Sequence, residues 1–124
     1  MPEPSAAPRR PRWWTTSRVV VYDHSMEPTL LPGDRLVVDR AAFRDRRPRV
    51  GELVVLVDPE APERWLVKRV AGLEGEGPQE RRVVVASDAP ERGRDSRQFG
   101  PVASSAIVGR VIRRYRPWDR AAEL

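Results

Sequence analysis

Residues 48–70 read PRVGELVVLVDPEAPERWLVKRV. Two short runs rich in valine and leucine, Glu52–Val57 and Trp65–Val70, stand between the turn formers Pro48 through Gly51 and Asp58-Pro59. Apolar, β-branched runs of this length bounded by proline and glycine read as strands, because a helix needs a longer periodic stretch to bury one face. Working outward, the pattern recurs at Arg18–Tyr22, Arg35–Asp39, Arg82–Ala86 and Ile107–Tyr115. The separators are Pro32-Gly33-Asp34, Gly72 through Pro78, Ala89 through Gly93 and Gly100-Pro101. Six short strands at this spacing predict an all-β fold, a single compact domain spanning 18–116. Thirteen prolines in 124 residues work against long helices. Ala41–Arg47 suits a helical turn or a loop equally well. Residues 1–17 are expected to be a flexible tail, since residues 1–11 (MPEPSAAPRRP) offer nothing to bury. Residues 117–124, with Pro117 and Trp118, are expected to finish the last strand and fray.

Composition removes several kinds of chemistry. There is no cysteine, so disulfides, thiolate metal sites and a cysteine nucleophile are excluded. The single histidine, His24, cannot make a histidine-rich metal cluster. It adjoins Ser25, and neighbouring side chains on an extended segment point to opposite faces, so it is badly placed to take a proton from that serine. A turn or surface role suits it better. The net charge of +5 admits an anionic partner, yet spread arginines ordinarily form a solvated surface. No apolar run approaches the ~20 residues of a membrane helix. The arginines at 9, 10 and 12 precede no apolar signal core, so neither leader nor anchor is visible and the expected address is the cytoplasm. Binding of single-stranded nucleic acid would need aromatic side chains presented on strands. Of the four tryptophans, Trp13, Trp14 and Trp118 lie at the ends, so no nucleic-acid partner is expected.

Of the 23 lysines and arginines one alone, Lys68, is lysine. Arginine stays charged in proteins, whereas a desolvated lysine can release its proton and serve as a base. Lys68 lies in the apolar run Trp65-Leu66-Val67-Lys68-Arg69-Val70, where burial would lower its pKa toward the range useful to a general base. A strand lysine reaching solvent is the equal alternative. Ser25 lies in Asp23-His24-Ser25-Met26-Glu27-Pro28-Thr29-Leu30, between a strand-like run and a turn. A serine there can be exposed with following backbone N–H groups free to bind an oxyanion. A lysine can replace histidine in activating it.

These residues resemble the conserved boxes of type I signal peptidases. Ser25-Met26-x-Pro28-Thr29-Leu30 with Gly33-Asp34-x-Leu36-Val37-Val38 resembles the nucleophile box, and Gly51-Glu52-Leu53-Val54-Val55 the strand after it. Val67-Lys68-Arg69-Val70-Ala71-Gly72 resembles the lysine box. Ser87-Asp88 and Asp95-Ser96-Arg97-x-x-Gly100-Pro101-Val102 resemble the C-terminal box. Four boxes in order, across about 18–112, imply a coiled antiparallel β core and a serine endopeptidase without cofactor or metal. The resemblance makes Ser25 the nucleophile and Lys68 the base, with the oxyanion hole near Ser25 and Met26. Arg69 would pair with Asp88 and Asp95 with Arg97, and Ser96 would belong to the same supporting group. The chain departs from the pattern at Asp23, where many members carry a serine or glycine. A carboxylate facing an oxyanion is unfavourable, so Asp23 is expected to turn away or be protonated. It departs again at Gly93, where the usual serine would bond the lysine. Small size, no membrane helix and Val108-Gly109-Arg110-Val111-Ile112-Arg113-Arg114-Tyr115 resemble the branch that matures nickel-type superoxide dismutase, implying a dismutase precursor as polypeptide partner. The alternative is a signal peptidase working at the membrane surface without an anchor, with Trp13 and Trp14 at the lipid interface; membrane contact is the less favoured reading. A self-cleaving repressor would need a DNA-binding domain, for which there is no room before Arg18.

Overall fold

The structure, a computed structural model, describes residues 12–77 and 81–124. Eight strands follow in chain order: β1 Thr16–Val20, β2 Arg35–Asp39, β3 Leu53–Asp58, β4 Ala61–Glu74, β5 Arg82–Ala86, β6 Val102–Ala103, β7 Ile107–Arg116 and β8 Ala122–Glu123. All pairings are antiparallel in one sheet of order β1-β2-β7-β3-β4-β5-β6, with β8 added to β7. The expected all-β, single-domain class is the one observed. Ala41 through Arg46 is turn and bend and Arg47 is irregular, and the only α-helical turn among the described residues is α1, Ser96–Phe99.

Alternation along the strands builds the core. Leu36 and Val38 of β2, Leu53 and Val55 of β3 and Val111 of β7 join Met26 and Leu30 in one apolar cluster. Val54 and Leu56 of β3 point the other way and meet Val70, Val83, Val85 and Val102 in a second cluster. Strand β3 is therefore buried on both faces, as its unbroken LVVLV predicts. The sheet coils between two cores, and register shifts in the β2–β7, β3–β4, β3–β7 and β4–β5 pairs accompany that coiling.

Two expected boundaries move. Arg12–Thr15 forms a 3-10 turn and Thr16 and Ser17 already pair with Asp39 and Val38, so the domain begins before residue 18; residues 1–11 of the expected tail lie outside the described residues. Residues 117–124 do not form a free tail. β8 pairs with Arg113 and Arg114 of β7, and Arg114 Nε donates to the Arg120 carbonyl at 2.5 Å. Polar backbone pairing holds this segment, which a reading of apolar runs cannot see. Strand β4 is also longer than the Trp65–Val70 run, because Ala61 onward pairs with the end of β3 and Gly72–Glu74 with β5.

Candidate active site

Ser25 follows β1 in the turn that leads to the Pro32-Gly33-Asp34 corner. Val21 N donates to Asp34 O and Gly33 N to Val21 O, closing this loop against its own start. Met26 and Leu30 bury their side chains beneath it, and Leu30 N donates to Met26 O. The Ser25 carbonyl accepts from Ala89 N at 2.8 Å, tying the serine to the segment after β5. Ser25 is 1 % exposed.

Lys68 comes from the middle of β4, opposite Val54 of β3, and is 2 % exposed. Its Nζ donates to Ser87 Oγ at 3.0 Å. Burial pulls its pKa below the ordinary lysine value, against the nearby Asp23 and Asp95 carboxylates, which favour the ammonium. Gly93 reveals how closely the groups converge. A Cβ placed there would lie 2.4 Å from Ser25 Cβ and 3.1 Å from both Lys68 Nζ and Ser87 Oγ. Three polar side chains thus surround one backbone position that has room for hydrogen only.

Both departures from the signal-peptidase pattern acquire a physical account. Gly93 carries no hydroxyl to hold the lysine, and Ser87, the residue after β5, provides one. The register explains it: Arg69 pairs with Ala86 at the end of β5, which brings Ser87, one step beyond, within reach of the Lys68 side chain. Ser87 was missed as a lysine partner in the sequence. Its signal is the alternation Val83, Val85, Ser87, all buried on one face. The second departure corrects an expectation. Asp23 does not turn away: its Oδ1 accepts from Ser25 Oγ at 2.8 Å and from Ser25 N at 3.1 Å. The carboxylate reaches its own i+2 neighbour in a tight local loop.

The supporting residues fall into two groups. Asp88 accepts from Arg69 Nε and Nη2 at 2.8 and 2.7 Å and from Thr29 Oγ1 at 2.7 Å, linking β4, the end of β5 and the serine loop. The Arg69 fork, helped by Thr29, holds the Asp88 carboxyl below its usual range. Thr29 belongs to the quoted nucleophile box, but its bond to Asp88 had no signal in the sequence. Asp95 is the N-cap of α1 and is 1 % exposed. Burial pushes its carboxyl up, but Arg97 and the backbone N–H groups of Ser87 and Arg97 outweigh that and lower it. Oδ2 accepts from Ser87 N at 2.9 Å, while Oδ1 takes Arg97 N at 2.9 Å and Arg97 Nε at 3.0 Å. Ser96 Oγ accepts from Val85 N at 2.8 Å. Asp95 and Ser96 together cap alternate N–H groups at the end of β5 and so fix Ser87. His24 is largely exposed and pairs with Glu27 at 3.1 Å.

A cleft of about 750 Å3 is lined by Val20, Tyr22 and Asp23 of the segment that leads to the serine and by Trp65, Leu66 and Val67 of β4. Asp58 and Arg94, paired at 2.6 Å, also line it.

The coiled antiparallel frame, with a serine buried where its loop meets β4 and β5, defines a serine peptidase of the signal peptidase I type. A family model described as signal peptidase, peptidase S26, matches residues 11–77, and the chain belongs to that family. It is 36 % identical over 116 residues to the mitochondrial ATP-independent inner membrane protease subunit 1b of Arabidopsis thaliana, covering 79 % of this chain and 69 % of that one. It is 34 % identical over 87 residues to the mitochondrial inner membrane protease subunit 2 of Schizosaccharomyces pombe, covering 60 % and 48 %. Signal peptidase I of Leptolyngbya laminosa matches at 27 % over 143 residues, 84 % and 70 %. These matches overturn the cytoplasmic expectation, since the relatives are membrane proteases. That expectation rested only on the lack of an apolar run, and a peptidase core need not itself contain a span to work beside a bilayer. No helix among the described residues is long and apolar enough to cross a membrane. The relatives do not support the dismutase-maturing branch.

Proposed function

We propose that the protein is an endopeptidase in which Ser25 is the nucleophile and Lys68 the general base, cutting N-terminal leader segments from polypeptides at a membrane surface. The observation that carries this reading is the meeting of Ser25, Lys68 Nζ and Ser87 Oγ around Gly93. A buried amine held by a hydroxyl and depressed by desolvation is suited to accept the proton of a neighbouring serine.

In the reaction an extended peptide would lie in the cleft between Tyr22 and Trp65. Ser25 Oγ attacks the scissile carbonyl carbon while neutral Lys68 takes its proton. The carbonyl oxygen becomes an oxyanion that needs the Ser25 N–H, so Asp23, which accepts from both the Ser25 hydroxyl and that N–H, releases both as the acyl group arrives. The tetrahedral species collapses, the Lys68 ammonium protonates the leaving amine, and an acyl-serine remains. Water, deprotonated by Lys68, then releases the new carboxylate and restores the hydroxyl. Ser87 holds the amine through these transfers, and the Arg69–Asp88–Thr29 and Asp95–Ser96 groups hold the strands that carry it.

The membrane setting is supported by the names of the relatives. The dismutase precursor rests on the Val108–Tyr115 likeness and is the second substrate to test. Purified enzyme would be incubated with a leader-bearing membrane-protein precursor and with a nickel-type dismutase precursor, and new N-termini read by mass spectrometry. Cleavage by wild type and none by Ser25→Ala, with the fold of the variant intact, is expected. Equal turnover by Ser25→Ala would end the assignment.

A further inference from the structure

At the end of β5 opposite Ser87, a cavity of about 280 Å3 is lined by Arg40, Arg44, Arg46, Arg47 and Arg81 around Phe43, with no acidic side chain in its wall. Arg46 is neutralised by Glu52, through bonds of 2.9 and 2.8 Å. The other four guanidinium groups have no carboxylate partner among the described residues. Arg40 Nη2 donates to the Trp14 carbonyl at 2.9 Å, and Arg47 donates to the carbonyls of Glu74, Gly75 and Arg82. Arg47 Nε is buried with no acceptor at all.

Four like charges around one concavity repel one another, and a buried donor without an acceptor costs free energy. A solvated arginine face would spread its charges outward and leave no guanidinium nitrogen buried and unsatisfied. A multivalent oxyanion answers both costs, because guanidinium forks match the oxygens of a phosphate group. The position adds a second argument. Trp14, half exposed, sits where the chain enters the sheet, and its backbone carbonyl accepts from Arg40 of the cavity wall, so the segment that carries this indole is bonded to the basic cluster. An amphipathic aromatic beside a cluster of arginines is the pairing that settles at the headgroup level of an anionic bilayer.

We infer that this arginine cavity binds a phosphate group, such as a phospholipid headgroup presents, and so docks the peptidase on an anionic membrane surface away from its catalytic serine. The inference is independent of the Ser25–Lys68 reading, because none of the five arginines touches that site. The test uses the full chain with three probes: vesicles of phosphatidylglycerol and phosphatidylcholine, vesicles of phosphatidylcholine alone, and inorganic phosphate. Co-sedimentation is expected only with the anionic vesicles. It should fall at least tenfold in Arg44→Glu/Arg81→Glu, and in the milder Arg44→Gln/Arg81→Gln if charge reversal impairs folding. A control, Arg35→Glu/Arg49→Glu, changes net charge equally outside the cavity and should bind nearly as wild type. Inorganic phosphate should raise the melting temperature of wild type and of the control but not of the cavity variants. Stabilisation by free phosphate without vesicle binding would keep the phosphate site and overturn the membrane dock. Equal losses in the cavity and control variants would reduce the effect to overall charge and overturn both. Failure of wild type to respond to any probe would do the same.

Discussion

Lys68 is where residue type matters most. Arginine keeps the charge but cannot give up its proton in the working range. Lys68→Arg should therefore be as inactive as Lys68→Ala in a cleavage assay, and an active arginine variant would remove lysine from the mechanism. Wild-type cleavage should rise with pH through the Lys68 pKa, at a midpoint below the ~10.4 of a free lysine. Burial sets that direction and Asp23 opposes it. Asp23→Asn should consequently move the midpoint to lower pH; a midpoint that stays put would show that the carboxylate does not act on the amine. The same depressed pKa has a consequence for stability. Between the folded pKa and ~10.4 the folded protein binds fewer protons than the unfolded chain, so stability rises with pH across that window. Lys68→Met should be inactive yet melt higher than wild type at neutral pH, with the gap closing as pH approaches 10.4. A gap independent of pH would contradict the assigned shift.

At the scale of elements, the short α1 acts as a plug for β5. Its N-cap Asp95 and first residue Ser96 accept the N–H groups of Ser87 and Val85, and the reciprocal Gln98 Oε1 to Asp95 N bond completes a capping box. Asp95→Ala removes the cap and leaves Ser87 N buried without a partner. Loss of such a cap costs about 1–2 kcal/mol, visible as a melting temperature lower by several degrees. Activity should fall further than stability alone accounts for, because Ser87 loses the contact that aims it at Lys68. An Asp95→Ala protein with wild-type melting and turnover would remove α1 from the support of the site. The Asp95–Arg97 and Asp88–Arg69 pairings were legible as motifs. The capture of two β5 N–H groups was not, because a four-residue helix leaves no periodic trace.

For the molecule as a whole, two glycines mark places where separate segments come too close for a side chain. A Cβ on Gly109 would stand 2.3 Å from the Asp39 carbonyl oxygen and 2.9 Å from Arg40 Cα, all backbone at the β2–β7 junction. Gly109→Ala should force the two strands apart and cost about 1–3 kcal/mol or more, measured by denaturant unfolding. Gly93→Ala meets the Ser25 side chain instead. It should abolish cleavage with a smaller loss of stability, since a loop can yield where a sheet junction cannot. Comparable stability losses in the two variants would contradict this distinction.

Sequence alone determined the strand class, because alternating and continuous valine runs bury themselves only as a sheet, whatever their order. It also marked Lys68, since a lone lysine among arginines is a chemical choice visible without coordinates. The relation of Lys68 to Ser87, and of both to Ser25 through Gly93, belongs to the tertiary structure. Ser25, Lys68 and Ser87 are 19 to 62 positions apart along the chain, and only the β4–β5 register and the bond from Ala89 N to the Ser25 carbonyl bring them to one point. The contact of Asp23 with Ser25 was local enough to be read, yet its direction was not. Where that carboxylate points depends on the turn conformation and on which N–H groups the folded loop leaves free, and neither is encoded in residue type.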